Sequence, residues 1–330
     1  MRFLATDLSM HRDVFRCGPL EVTVGAQTPA LYDKVADTLQ LYNACWAPPF
    51  IAAQLRVDLA TAPALPADGN YLNCSRMRVD ATAAGLRATC HSGAACESDR
   101  QRWRITIPSA AACERVPDDV EDLIGLALAT LWRQAGWVPL HAGAVAKGRC
   151  CALLTAPSGG GKTTLTAALI RRGWQTLGDD KLLLRVDDGG VPEARALLHN
   201  FNLHPDTRRW FDEVGDLRTL PVYSAWTEKR RVSVDTVWPG RTVHHHAPTH
   251  LIQIVRRDDT DGVAISPLDH GEILSTLLRQ TVIPREPTIA RRIVTTVAAT
   301  AKRLTGWRLD VGAEAYRDPE CLQPLEVALR

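Results

Sequence analysis

The sequence has no excess of charge of either sign: 39 Lys+Arg against 37 Asp+Glu leave a formal net charge of +2 over 330 residues. A dedicated nucleic-acid binder usually carries a strong basic excess, so that class has no electrostatic support. C-x-x-C pairs are missing as well. The nine cysteines are odd in number and scattered, which argues against a paired zinc framework and a secreted disulfide scaffold. They read as reduced, small and mostly buried, and the adjacent Cys150 and Cys151 as filling for an apolar strand. Long apolar runs are absent: the longest, Leu123 to Trp132, is about half a membrane span. The stretch from Met1 to Asp7 lacks the apolar core of a signal peptide. The expectation is a soluble, cytoplasmic protein with neither a nucleic-acid nor a membrane partner. There are no internal repeats and no low-complexity tract.

What is present is a globular composition, 45% hydrophobic and 23% charged. The length suits two domains or one large one, with enough buried surface to need no disulfide or metal. Early in the chain, Leu20–Val24, Leu55–Leu59, Met77–Asp80 and Trp103–Ile107 alternate residue by residue, the period of a sheet with one buried face. Turn-rich stretches lie between them, from Pro63 to Asn70 and from His91 to Asp99. Residues 31–45 suit a short helix. The period then changes: Val120, Leu123, Ile124, Ala127, Leu128 and Leu131 line one helix face, with Pro117 and two acids at its start and Gly136 at its end. A mainly β domain over residues 1–115 and a second domain over 116–330 are expected. Later, Leu251–Val255 and Val263–Ile265 read as strands around a turn, Ile273–Leu278 and Ile289–Leu304 as helices, and Trp307–Val311 as a strand at a sheet edge.

The informative segment runs from Cys150 to Thr164. A buried strand enters Ala156-Pro157-Ser158-Gly159-Gly160-Gly161-Lys162-Thr163-Thr164, and a helix with Leu165, Ala168 and Leu169 follows. This is a Walker A loop with Ala156 in place of the first glycine. Successive backbone N–H groups must converge on phosphate oxygens, which side chains would obstruct, hence Gly159, Gly160 and Gly161. The helix that opens there aims its N-terminal dipole at the same anion. Lys162 can reach the β- and γ-phosphates and Thr163 can meet Mg²⁺, so ATP or GTP binding is expected.

After the helix, a short apolar strand delivers Gly178-Asp179-Asp180, 17 and 18 residues beyond Lys162 in the case of the two acids. One carboxylate can hold Mg²⁺ while the other accepts a proton from an attacking hydroxyl. Asp187-Asp188 reads as an ordinary acidic turn. His141 opens a strand, Leu140 to Val145, which a turn at Lys147-Gly148 links to the Walker strand. Lys229-Arg230-Arg231 offers cations for a transferring phosphoryl group. The run His244-His245-His246 with His250 lacks a Cys or carboxylate at supporting spacing, which favours a non-metal reading. Trp226, Trp238 and Trp307 read as core residues.

Together, His141-Ala142-Gly143, Ser158 to Thr163, Arg172-Gly173 and Gly178-Asp179-Asp180 resemble the catalytic core of bacterial HPr kinase/phosphorylase and its relatives, over residues 137–186. That resemblance implies an α/β fold with an HPr-kinase/phosphoenolpyruvate-carboxykinase-like P-loop core, beside the N-terminal mainly β domain. It implies ATP and Mg²⁺ as cofactors and nucleotide binding by Ser158, Gly159, Gly160, Gly161, Lys162, Thr163 and Thr164. Thr163 and Asp180 would bind the metal; Asp179 would be the base, with His141 adjacent to it and Lys162 on the phosphates. HPr kinases assemble as oligomers, which makes a homo-oligomer an expectation.

The family's downstream signature, an acidic residue and an Arg-Gly pair, is replaced here by Leu198 to Pro205. Phosphorolysis and HPr as substrate therefore lose support. Related single-purpose kinases in clusters for lasso peptides phosphorylate a precursor serine, and a peptide or small-protein acceptor is the preferred expectation. The alternatives are a small-molecule kinase or carboxykinase-like enzyme, and a nucleotide-sensing partner of a biosynthetic complex without catalysis.

Overall fold

The computed structural model describes residues 13–42, 44–59, 70–73, 77–82, 85–90, 92–99, 101–107, 117–224, 227–257, 260 and 262–330. The fold is mixed α/β and divides into two compact units, Met1–Ala135 with Pro284–Pro287, and Gly136–Ile283 with Thr288–Arg330.

The first unit contains β1 (Asp13–Cys17), β2 (Leu20–Ala26), α1 (Pro29–Gln40), β3 (Ile51–Leu59), β4 (Asn70–Asn73), β5 (Met77–Ala81), β6 (Leu86–Cys90), β7 (Ala95–Asp99), β8 (Arg102–Ile107) and α2 (Pro117–Gln134). Among the described residues its eight strands form one sheet in the order β1-β2-β3-β8-β7-β6-β5-β4, with β2, β3 and β8 parallel to one another. The period-two pattern puts Val22, Val24, Leu55, Val57, Trp103 and Ile105 on the buried face. Leu31, Val35 and Leu39 of α1 and Leu123, Ile124 and Leu131 of α2 are the matching buried helix stripes, and both helices contact the sheet.

Two expectations change here. His91–Asp99 contains strand β7, because Cys96 and Ser98 alternate inward and Ser98 Oγ accepts a hydrogen bond from the Leu86 amide at 2.8 Å. Pairing with two neighbours overrides a turn-like composition. The helix after residue 116 belongs to the first unit, so the division falls at 135/136 rather than near 115. Of the Pro63–Asn70 stretch only Asn70, in β4, lies within the described residues. The described cysteines are free thiols, with Cys17, Cys90, Cys96 and Cys151 buried. Among the described residues no helix is long and apolar enough to cross a membrane.

The second unit begins with β9 (Val138–Leu140), β10 (Gly143–Lys147), β11 (Cys150–Thr155), α3 (Lys162–Arg171), β12 (Gln175–Gly178), β13 (Leu182–Val186), β14 (Pro192–Ala196) and β15 (Asn200–Leu203). It continues with β16 (Val222–Ser224), β17 (Thr227–Ser233), α4 (Val234–Val237), β18 (His245–His246), β19 (His250–Arg257), β20 (Val263–Leu268), α5 (His270–Arg279), α6 (Pro287–Ala301), β21 (Thr305–Gly312) and α7 (Gln323–Ala328). The main sheet has the order β12-β10-β11-β19-β21-β20; smaller sheets are β18-β14-β13-β9 and β15-β17-β16.

At the centre of the main sheet, β11, β19 and β21 run parallel, with Leu154 opposite Ile252 and Ile252 opposite Trp307. Leu165 and Leu169 of α3, with Leu154, Phe201, Phe211, Ile252 and Leu309, form the buried core beneath the loop that follows β11. The expected edge strand over Trp307–Val311 is internal: β21 lies between β19 and β20, and β20, with its half-exposed alternation, is the edge. His141 opens no strand. It sits at the break between β9 and β10, which belong to different sheets. Trp238 is buried and Trp307 packs against the core, while Trp226 lies outside the described residues.

Candidate nucleotide and phosphoryl-transfer site

The carboxyl ends of parallel strands in an open α/β sheet are where ligands collect. Here a cavity of about 430 Å³ opens beside the loop that leaves β11, lined by Ser158 to Thr164, His141 and Asp180. The loop needs its glycines for two separate reasons. A Cβ on Gly160 would stand 2.8 Å from Ala156 Cβ and 2.9 Å from Pro157 O, so the loop could not close. Gly161 adopts φ +93° as the N-cap of α3, a left-handed conformation that side chains resist. The strand-loop-helix passage thus has the form the sequence predicted, and α3 directs its N-terminus at the cavity.

Lys162 opens α3 and is buried. Its Nζ donates to Ala156 O at 3.0 Å and lies 3.2 Å from His141 Nε2. His141 Nδ1 lies 3.2 Å from Asp180 Oδ1. Burial holds the His141 pKa below its ordinary value, with Asp180 opposing and Lys162 adding to the shift. A neutral imidazole with its proton on Nδ1 satisfies both contacts: it donates to Asp180 and accepts from Lys162. Burial likewise lowers the Lys162 pKa, against the pull of both aspartates.

Asp179 is 4% exposed and accepts a hydrogen bond from Thr163 Oγ1 at 2.5 Å. Burial, and then the charge of Asp180 beside it, push its pKa up to about 7, while the Thr163 bond pulls the other way. The two carboxylates follow β12 in a bend and face different neighbours. The pairings are the reverse of those expected: Thr163 is bonded to Asp179 rather than grouped with Asp180, and His141 adjoins Asp180 rather than Asp179.

Ser158, Gly159, Gly160, Gly161, Lys162, Thr163 and Thr164 all border the cavity, as does Asp180. A chain of amides, a lysine and a helix N-terminus fits a polyphosphate, and the hydroxyl and carboxylate oxygens of Thr163, Asp179 and Asp180 are the hard donors that suit Mg²⁺. Among the described residues no three His, Cys, Asp or Glu side chains gather as a metal cluster. The histidine run is dispersed: His244 stacks with His199, His246 Nε2 contacts Gly148 O at 3.1 Å, and His250 Nδ1 contacts Thr249 Oγ1 at 2.8 Å.

Sequence reasoning missed the rest of the wall. Asn202 and His204 come from β15 and the turn after it, Arg209 and Trp210 from the next turn, Arg256 from the end of β19, and Tyr316 from beyond β21. Arg209 stacks on the Trp210 ring at 4.1 Å, and Trp210 meets Tyr316 edge-on at 6.0 Å. The available signal was position: Arg256 and Tyr316 lie at or beyond the carboxyl ends of strands parallel to β11. Of the triplet Lys229 to Arg231, only Lys229 lines the cavity.

No protein-family model matches the chain, and no curated protein matches it. Among solved structures it is similar to the HPr(Ser) kinase/phosphatase from Coxiella burnetii, at 12% identity and a TM-score of 0.33, over 58% of this chain and 97% of that one. A superposition that loose leaves the functional reading to rest on the side chains of the site.

Proposed function

We propose that this protein is a kinase with a P-loop core of the HPr-kinase and phosphoenolpyruvate-carboxykinase kind. It transfers the γ-phosphate of ATP, with Mg²⁺, to a Ser or Thr hydroxyl of a peptide or small protein, a lasso-type precursor being the preferred acceptor. The observation that carries this reading is the convergence of Lys162, Thr163, Asp179, Asp180 and His141 on one glycine loop. A nucleotide-binding module without catalysis has no need of an adjacent carboxylate pair, one buried and one bordering the cavity, beside the phosphates.

Bound Mg-ATP would supply the electrophilic phosphoryl group. The loop amides and Lys162 hold the phosphate charge. Thr163 and Asp179 face the metal side of the site. Asp180, oriented by the Nδ1–H of His141, takes the proton of the acceptor hydroxyl. This division of labour follows the pairings in the fold and exchanges the roles that resemblance alone gives to the two aspartates.

The test is transfer from γ-labelled ATP with Mg²⁺ to proteins and peptides of the source organism, with wild type, Asp180→Asn and Asp179→Asn side by side. Asp180→Asn should lose about 10²–10⁴ in turnover with nucleotide affinity retained. Label appearing in a metabolite instead of a peptide would establish a small-molecule kinase. ATP binding with no transfer to anything would leave a nucleotide-sensing protein and end the kinase reading.

A further inference from the structure

We propose that Lys229 is a second catalytic cation of this site, one that contacts the phosphoryl group in transit rather than the resting nucleotide. The inference rests on the phosphoryl-transfer reading above.

β15 and β17 pair antiparallel, with Phe201 opposite Val232, Asn202 opposite Arg231 and Leu203 opposite Arg230. Phe201, Leu203 and Val232 are buried, so one face of this small sheet belongs to the core. Directly opposed residues share a face and alternate residues return to it. Asn202, His204 and Lys229 therefore lie on the other face, and all three line the cavity. The sequence run of three cations is thus split by the pleat: Arg230 turns away and donates through Nη1 to Leu220 O at 3.2 Å.

Lys229 is half-buried, and among the described residues no hydrogen bond or ion pair holds its ammonium. By contrast, Lys147 and Arg172 of this unit meet Glu326, and Arg185 meets Glu193. Beside Lys229, the Asn202 Oδ1 is buried without a partner. Lys229 is near enough to Lys162 and Asp179 for its charge to act on both. Two ammonium groups on different walls of one cavity repel until an anion lies between them.

Lys162 belongs to the phosphate cradle and already donates to Ala156 O. Lys229 comes from the facing wall, outside the cradle, where it meets the equatorial oxygens that carry the spreading charge of a loose transition state. In that step the acceptor hydroxyl oxygen forms the new P–O bond. The bond from the γ-phosphorus to the bridging oxygen breaks, its electron pair leaves with ADP, and the hydroxyl proton goes to Asp180.

Lys229→Met and Lys229→Arg test this, with three readouts: affinity for a non-hydrolysable ATP analogue, affinity for ADP with aluminium fluoride and Mg²⁺, and turnover. Lys229→Met should hold the ATP-analogue affinity within about threefold while losing about 10²-fold for the aluminium fluoride complex and about 10²–10³-fold in kcat. Lys229→Arg should recover at least about a tenth of wild-type kcat, since it keeps the charge. An equal loss for both nucleotide complexes would make Lys229 part of the ground-state cradle and overturn the proposal. So would an unchanged aluminium fluoride affinity. Failure of the wild type to bind either nucleotide is a separate result, and it would remove the phosphoryl-transfer reading itself.

Discussion

The polar face of the first sheet and the cavity of the second unit treat charge in opposite ways. On the polar face of the first sheet, Arg56 and Arg104 share Asp58, Arg78 pairs with Asp80, and Arg87 pairs with Glu97. Each cation has an acid on its own or a neighbouring strand, as expected of a face shaped by stability and solubility. At the cavity of the second unit, like charges adjoin as well as opposite ones: burial and then Asp180 raise the proton affinity of Asp179, and burial lowers the Lys162 pKa, with Lys229 adding to that shift and both aspartates opposing it. Such an arrangement costs stability unless a ligand of mixed charge completes it. Mutually strained titratable groups in a cleft mark function, and satisfied pairs on a sheet face do not.

The largest effect should come from Lys162→Met. It removes the one cation that α3 contributes to the loop, together with its bonds to Ala156 O and His141. Nucleotide affinity should fall at least about tenfold and turnover at least about 10³-fold, read by calorimetry and by transfer from γ-labelled ATP. A variant that still turned over near the wild-type rate would place the chemistry elsewhere, and the contrast between the two units would lose its functional meaning.

Asp179→Asn sharpens the same contrast because activity and stability should move in opposite directions. A carboxyl group whose folded pKa is raised holds a proton in the native state that the unfolded state has released. Between about pH 4 and pH 7 wild-type stability therefore falls as pH rises, through the window set by the shift from 3.8 to about 7. Asparagine removes that cost. At pH 8 the variant should be more stable than wild type by ~1–3 kcal/mol, a gain in Tm of several degrees, and the gain should vanish near pH 4. Turnover should be lost at both pH values. A variant less stable than wild type at pH 8 would mean that Asp179 is a structural acid, no different in kind from Asp80.

The first wall of the cavity was legible in the sequence because a motif writes it contiguously. Gly159 to Thr164 must be consecutive for their amides to converge, and Asp179-Asp180 follow one helix and one strand later. The facing wall was not legible, because its residues are alternate positions on two strands and the ends of two others. Asn202, Lys229 and Arg256 meet only once the register is known. The same physics explains the misplaced elements. β7 reads as a turn until its two neighbours pair with it, and β21 reads as an edge until the crossover through α5 and α6 inserts it beside β19. The exchange of partners between the aspartates was beyond sequence for a third reason: both lie in the bend after β12, and which one meets α3 depends on how that bend is placed.

The smallest effect should come from Asp58→Asn on the first sheet, and it is the control that makes the comparison informative. Asp58 is bonded by Arg56 Nε at 2.8 Å and approached by Arg104 Nε at 3.4 Å. Both arginine side chains are more than a third exposed or close to it, at 34% and 39%. Water screens such a pair and can solvate either cation once the acid is gone, so the expected cost is about 0.5–1 kcal/mol, measured by chemical denaturation. Nucleotide affinity and turnover should match wild type. If the neutral variant altered either one, charge on this face would be tied to the reaction. The distinction between a region where charges cancel and a region where they are held in readiness would then have to be given up.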